Sequence, residues 1–351
     1  MIEQISEGQV VVGVDTHDLN HVAVGVDHLG RRLGNISVAT CPAGYREFLG
    51  WALGLGDIAA VAMEGTGSYG RGLCRLLQAR GIRVVEVARP SRRNRRNRGK
   101  ADLMDAEAAA RSFLGGEVSA EPRGADAPVA MIRSLRVARD ALVNQRTQSI
   151  NQLRALIVTA DAELREALTG LSTTQLIDRV ARFRVAGLGC PSDASRFSMR
   201  QLARHVVDID TRVAELDDQL TPLVSNRAPE LLAVHGVGIE VAGNVLVAWD
   251  GARRIRSEAA FASLCGVAPV PASSGKTNRY RLSRGGDRAA NRALWRIVLT
   301  RMRTDERTRE YVARRQAEGK SKREAVRCLK RYVAREIYHV LQRLAPAELA
   351  A

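Results

Sequence analysis

Four carboxylates and one serine stand where chemistry could be done. The first acid, Asp15, ends the apolar run Val10-Val-Val-Gly-Val-Asp15-Thr-His17. Consecutive valines suit a strand buried on both faces, which puts Asp15 at the strand's carboxyl end. A carboxylate there must be paired, hydrogen-bonded or metal-bound to stay charged. Glu64 follows a second strand-like run, 57–63, while Asp102 and Asp105, three apart, share one face of a helix-favouring segment over 101–114. Clustered carboxylates raise one another's pKa unless a cation sits among them, and hard oxygen ligands suit Mg²⁺ or Mn²⁺. Singly, each acid also reads as a strand-end cap, a turn or a solvated helix face. Their joint placement is what implies a divalent metal.

The serine is Ser274, in a Pro/Gly/Ser-rich stretch over 266–287 that also carries Lys276, Arg279, Arg281 and Arg284. A Ser-Gly pair is commonly just a turn, and no Ser-His-Asp arrangement surrounds it. Among fixed cations, however, a serine is placed to attack a phosphodiester and displace a sugar hydroxyl, leaving a covalent intermediate. A second basic stretch, Arg89 to Lys100, holds seven basic residues and no acid directly before Asp102. There Arg92, Arg93, Arg95, Arg96, Arg98 and Lys100 would set phosphate-binding groups beside the metal-binding acids. Gly236 and Gly238 have the spacing of a helix-hairpin-helix turn, whose backbone N–H groups approach a phosphate, although a plain helix–helix turn uses the same glycines.

The elements that must carry these residues follow from periodicity and turn signals. After the first strand, short runs at 21–27 and 32–39 complete a three-strand meander. A helix over 43–53, the strand 57–63, a helix that the following Gly-Thr-Gly-Ser opens and that runs to about 79, a strand over 82–87 and the helix 101–114 make an α/β unit. From about 128 to 168 an apolar stripe (Leu135, Leu142, Ile150, Leu153, Leu156, Ile157) predicts a long hairpin or short coiled coil, facing its own chain or another copy. Helices continue over 169–230, with breaks expected at Gly187-Leu-Gly-Cys-Pro191 and at Pro222. Beyond the 236–238 turn come a helix near 257–265, the serine stretch, and basic helices that Asp287 and a Ser321–Glu324 capping box open. Lys or Arg at 322, 323, 327, 330, 331 and 335 would form a basic ridge. The expected fold class is α/β plus α, divided into an α/β domain over 1–125, a helical or coiled-coil linker over 126–228 and a mainly helical domain over 229–351.

Charge points to the partner. The formal net charge is +16, and residues 251–351 alone hold 24 Lys+Arg against 9 Asp+Glu. Arginine dominates, and its guanidinium grips phosphate as a bidentate fork, so a polyanion is expected, nucleic acid before a membrane surface. No signal peptide or bilayer-spanning stretch is evident, so a cytoplasmic, nucleoid-associated protein is expected. Five scattered cysteines without CxxC spacing argue against a disulfide framework and a zinc site.

Taken together, Gly13-Val-Asp15-Thr-His, Met63-Glu64-Gly-Thr-Gly-Ser-Tyr69, Lys100-Ala-Asp102-Leu-Met-Asp105-Ala, the Gly236-Val-Gly238 turn and Leu264-Cys-Gly-Val-Ala-Pro with Ser274-Gly275 resemble the DEDD insertion-sequence transposases, the insertion-sequence 110 family, over almost the whole chain in order. That resemblance implies an RNase H-like, RuvC-type N-terminal domain, a coiled-coil linker and a C-terminal transposase domain. It implies Mg²⁺ held by Asp15, Glu64, Asp102 and Asp105, and a phosphoserine link to DNA through Ser274, with Ser273 as the other candidate. It also implies composite sites in a homodimer or homotetramer, and a structured bridge RNA that pairs with donor and target DNA. Family members often carry a lysine shortly after the first acid, where this chain has Thr16-His17-Asp18-Leu19-Asn20. The alternative from the same parts is a RuvC-type metal-dependent junction nuclease that uses activated water. An actin-like ATPase would need further Gly-rich phosphate loops, and a purely architectural nucleic-acid protein would leave the four acids without a role.

Overall fold

A strand made of consecutive valines has two faces to bury, and here each face is covered by different helices. The computed structural model describes residues 5–87, 102–116, 122, 127–250, 255, 257–273, 280, 281, 283 and 285–344. It forms two compact units, one built from Met1–Ala125 and two short later stretches, the other from Asp126–Trp249 and Ser257–Pro346.

The first unit is a five-stranded mixed sheet in the order β3-β2-β1-β4-β5. Strands β1 (Gln9–Thr16), β2 (Asn20–Val26) and β3 (Arg32–Ala39) form the expected antiparallel meander. Helix α1 (Pro42–Leu55) then crosses to β4 (Asp57–Met63), which pairs parallel with β1; α2 (Arg71–Ala79) crosses to β5 (Val84–Glu86), parallel to β4. The Gly65–Gly70 segment is a turn, so α2 starts at Arg71. Parallel neighbours need such crossover helices, and these cover one face.

Side-chain alternation sorts the residues between the two faces. Val10, Val12 and Val14 pack with Phe48, Leu49, Leu73 and Leu77 of α1 and α2. Val11 lies on the other face with Val24, Val26, Ala106 and Ala110, beneath α3 (Asp102–Leu114).

The second unit, among the described residues, is almost entirely helical. Its frame is a pair of long helices, α4 (Ala127–Thr159) and α7 (Pro191–Arg227), with α5 (Ala162–Leu168) and α6 (Thr173–Ala181) between them in sequence. The apolar stripe of α4 faces its own chain: Ile150 and Leu153 are buried with Met199, Ala203 and Val206 of α7. Arg139 pairs with Asp217 and Arg146 with Asp210, both as two-pronged forks, so the helices run antiparallel. Pro222 does not break the chain as its type suggests, because α7 runs through it to Arg227. A proline inside a helix costs about 3 kcal/mol, and burial of Leu220 and Val224 on either side holds the helix in register across it. The break at Gly187–Pro191 is present, with Pro191 at the first turn of α7.

After α8 (Pro229–Leu232) and α9 (Ile239–Trp249) come α10 (Glu258–Leu264), the two-residue strands β6 (Val270–Pro271) and β7 (Tyr280–Arg281), and three closing helices: α11 (Arg288–Thr304), α12 (Glu306–Ala317) and α13 (Lys322–Arg343). The expected caps are formed: Asp287 accepts from Ala289 and Ala290 N–H, and Ser321 and Glu324 make a reciprocal capping box. No helix of the described residues is long and apolar enough to cross a membrane.

Candidate functional site

The carboxyl end of β1 is where the acids gather, and the packing of α3 explains why. A Cβ added at Gly13 would lie 1.9 Å from the Ala106 carbonyl oxygen and 2.6 Å from the Ala110 nitrogen. Helix backbone thus rests directly on strand backbone, an approach only glycine allows. Small residues on the helix side, Ala106, Ala109 and Ala110, complete the fit. The result is that the first turn of α3, bearing Asp102 and Asp105, sits over Asp15.

Asp15 is 9% exposed and Glu64 8%. The β1–β4 register pairs Val14 with Met63, which makes Asp15 and Glu64 next neighbours at adjacent strand ends, on the α3 face of the sheet. Two bonds pin those ends: Glu64 N–H donates to Val14 O at 3.4 Å, and Thr16 Oγ1 donates to Glu64 O at 3.0 Å. Burial pushes the Asp15 carboxyl above its ordinary pKa; the Asp105 and Asp102 charges add to this, and His17 opposes it.

His17 is the residue that the reading of the acids left out. Its Nε2 lies 3.1 Å from Asp15 Oδ2 and 3.5 Å from Asp102 Oδ1. Asp15, His17 and Asp102 each present one ligand atom within 4.8 Å of the others, the group among the described residues able to hold a metal ion. Glu64 and Asp105 fall outside this tight group, although Asp105 is close enough to act on Asp15. The donors fit a divalent cation: two carboxylates and an imidazole converge, and the more buried of these two carboxylates, Asp15, carries an ionisation cost that His17 offsets only in part and a cation would relieve. The Asp15 side chain is nearly enclosed, whereas His17 and Asp102 are open to solvent, leaving one side for a substrate. The signal for His17 was the two-residue strand period, which sets it on the side of the chain that Asp15 occupies.

The other residues singled out from the sequence are only partly described. Gly236 lies in the turn between α8 and α9 with φ +85°, and Gly238 immediately precedes α9. Arg281 is exposed on β7, opposite Val270 of β6. Ser273 follows β6. Ser274, Lys276, Arg279 and Arg284 lie outside the described residues, as do Arg92, Arg93, Arg95, Arg96, Arg98 and Lys100. The basic ridge on α13 is only half realised. Lys322, Arg323 and Arg327 are exposed, but Arg331 and Arg335 grip Glu258, whose carboxyl they hold below its ordinary pKa, and Lys330 is buried.

Two family models match the chain. One, described as a transposase model of the DEDD, IS110 type, covers residues 12–160. The other, described as the transposase IS116/IS110/IS902 family, covers residues 228–313. Among individual proteins, the insertion element IS900 uncharacterized 42 kDa protein of Mycobacterium paratuberculosis is 31% identical over 140 residues, covering 37% of this chain and 34% of that protein. The insertion element IS110 uncharacterized 43.6 kDa protein of Streptomyces coelicolor is 29% identical over 128 residues, 36% of this chain and 32% of that protein. The matches thus span about a third of the length of these curated relatives.

Proposed function

Because the chain belongs to the IS116/IS110/IS902 family of transposases, we propose that it cuts and rejoins DNA as the recombinase of an insertion sequence. The observation that carries this reading is the convergence of Asp15, His17 and Asp102 at a buried strand end, with Glu64 and Asp105 beside them. We read the β3-β2-β1-β4-β5 sheet as RNase H-like, of the RuvC type, within a first domain of residues 1–125. A helical linker over 126–228 and a C-terminal transposase domain over 229–351 complete the division.

In this reading Asp15, Glu64, Asp102 and Asp105 hold Mg²⁺ or Mn²⁺, which when bound neutralises charge on a phosphodiester. The chain's own residues do the rest. The exposed side of the site admits a strand, and arginines and lysines at 92–100 and 276–284 fix its phosphates. Ser274 is the nucleophile: its oxygen bonds to phosphorus, the bond from phosphorus to a sugar oxygen breaks, the serine proton is lost and the sugar oxygen takes one up. One phosphate ester replaces another, so reversal onto a new sugar hydroxyl rejoins DNA without an external energy source. A structured RNA that pairs with donor and target DNA, and a dimer or tetramer in which acids of one protomer serve the serine of another, belong to the same proposal.

The test is to incubate the chain with its flanking non-coding RNA, labelled donor DNA and Mg²⁺, then denature and look for DNA bound covalently to protein. An adduct present in wild type and absent in Ser274→Ala, in Asp15→Asn and without metal is the expected result. Nicked DNA without any adduct would transfer the chain to the water-using nucleases.

A further inference from the structure

We propose that an open pocket between the start of α11 and the middle of α13 is a phosphate subsite for one backbone phosphate of the DNA, with Lys330 as its floor. The inference rests on the DNA reading above and assigns a part of that surface. The pocket has a volume of about 370 Å³, and Ser283, Arg288, Asn291, Arg292, Trp295 and Lys330 line it.

Its charge balance points to the ligand. Lys330 is 8% exposed, and its Nζ donates to Asn291 Oδ1 at 2.6 Å. Among the described residues no carboxylate pairs with that ammonium, and the neighbours that act on it are Cys265 and Arg327. A buried ammonium without a counter-ion is costly unless an anion joins it. Burial accordingly pushes its pKa down, and pushes that of the neighbouring Cys265 thiol up to about 12. Arg136, the comparable buried cation of this unit, has the opposite arrangement, held by Asp140 and the Glu240 carbonyl.

Asn291 is not free to swing away, because its Nδ2 donates to Cys265 O at 2.7 Å. Arg288 and Arg292, one helical turn apart and exposed, add two cations at the rim. The acid of the wall, Asp287, is spent on the N–H groups of Ala289 and Ala290. Trp295, 45% exposed, offers an indole face at the same rim, on which a base or sugar can pack. The wall itself is fixed. Gly286, at φ +93°, has its Cα so close to Leu264 O that an added Cβ would lie 2.5 Å from it, and Asp287 N–H donates to that oxygen at 2.6 Å. Three cations with no paired acid among the described residues, and an aromatic edge, fit a nucleic-acid phosphate better than a lone carboxylate.

The deciding experiment is fluorescence anisotropy of a fluorescein-labelled duplex of about 20 base pairs, titrated with the full chain across a salt series. Lys330→Met should weaken binding about tenfold and flatten the dependence of log K on log salt by about one, and the Arg288→Gln/Arg292→Gln double variant, which loses the same single phosphate contact, should also flatten it by about one. Urea unfolding supplies a readout that a merely structural lysine would not give: Lys330→Met should be as stable as wild type or more so. If Lys330→Met unfolds, that overturns Lys330 as the floor, and the exposed double variant then decides the pocket. Wild-type affinity and salt slope in the double variant overturn the pocket while leaving the transposase reading intact. A wild-type chain that does not bind the duplex overturns both.

Discussion

The two faces of the N-terminal sheet are packed to different depths, and the candidate site sits on the shallow one. Beneath α1 and α2 the filling is large, with Phe48, Met63, Leu73 and Leu77 fully buried. Beneath α3 the filling is smaller: Val11, Val24, Val26 and Val85 pack with Ala62, Ala106, Ala109 and Ala110, and at Gly13 backbone approaches backbone. A thick layer stabilises through buried apolar area, about 25 cal/mol for each Å². A thin layer contributes less of this, but it lets short side chains on helix and strand reach one another, and aspartates are short. Buried polar groups occur on both faces, and their surroundings differ accordingly. Asp15 faces other acids and His17; His21, on the deep face, is fully buried and stacked on Tyr45 at 5.7 Å, with both ring nitrogens lacking a hydrogen-bond partner among the described residues.

The largest effect is expected at Gly13, where the thin layer is closest. Gly13→Val should cost about 3 kcal/mol or more in urea unfolding, because the clash is with helix backbone that cannot rotate away. It should also abolish stabilisation by Mg²⁺. A loss of under about 1 kcal/mol would show that the thin layer yields like any other.

A smaller effect is expected at Asp15. Its folded pKa is raised, so the stability tied to its neutral form is present below the unfolded value of 3.8 and is lost as pH rises through the folded value. Metal-free wild type should therefore lose stability on that rise, and Asp15→Asn should not. Near neutral pH the variant should be more stable by on the order of 1 kcal/mol, and added Mg²⁺ should raise the Tm of wild type alone.

The smallest effect belongs to the deep face. Burial lowers the His21 pKa from 6.5, so the unfolded chain binds the proton more readily, and stability falls as pH drops below that value. His21→Phe should remove that slope. Its gain should be greater at about pH 5.5 than at about pH 7.5, and under about 1 kcal/mol at the latter. An equal gain at both would mean that His21 is not held neutral.

Much of this unit was legible in the sequence, because the valine runs carry the strand period and turn residues mark their ends. The meander, the two crossovers and the helix bearing Asp102 and Asp105 follow from local rules. What escaped was set by neighbours remote in sequence. Gly13 looked like a gap in a valine run, and its meaning depends on Ala106 arriving from a distant helix. His17 is one polar residue in a strand-end turn when read along the chain, and only the folded strand end brings it between two carboxylates. Pro222 carries a strong local signal that the burial of Leu220 and Val224 beside it overrides. Lys330 reads as one more charge on a basic helix, yet the turn of α13 carries it inward onto Asn291.

The contact at Gly13 also bears on inheritance. Any single-base change that alters a glycine codon's amino acid introduces a residue with a Cβ or ends the chain. A copy of this gene in which the change is a substitution would still encode Asp15, Glu64, Asp102 and Asp105, and a survey of those acids would count it as intact. Its damage would be recorded at a position that bears no side chain at all, in the absence of a single hydrogen-sized gap.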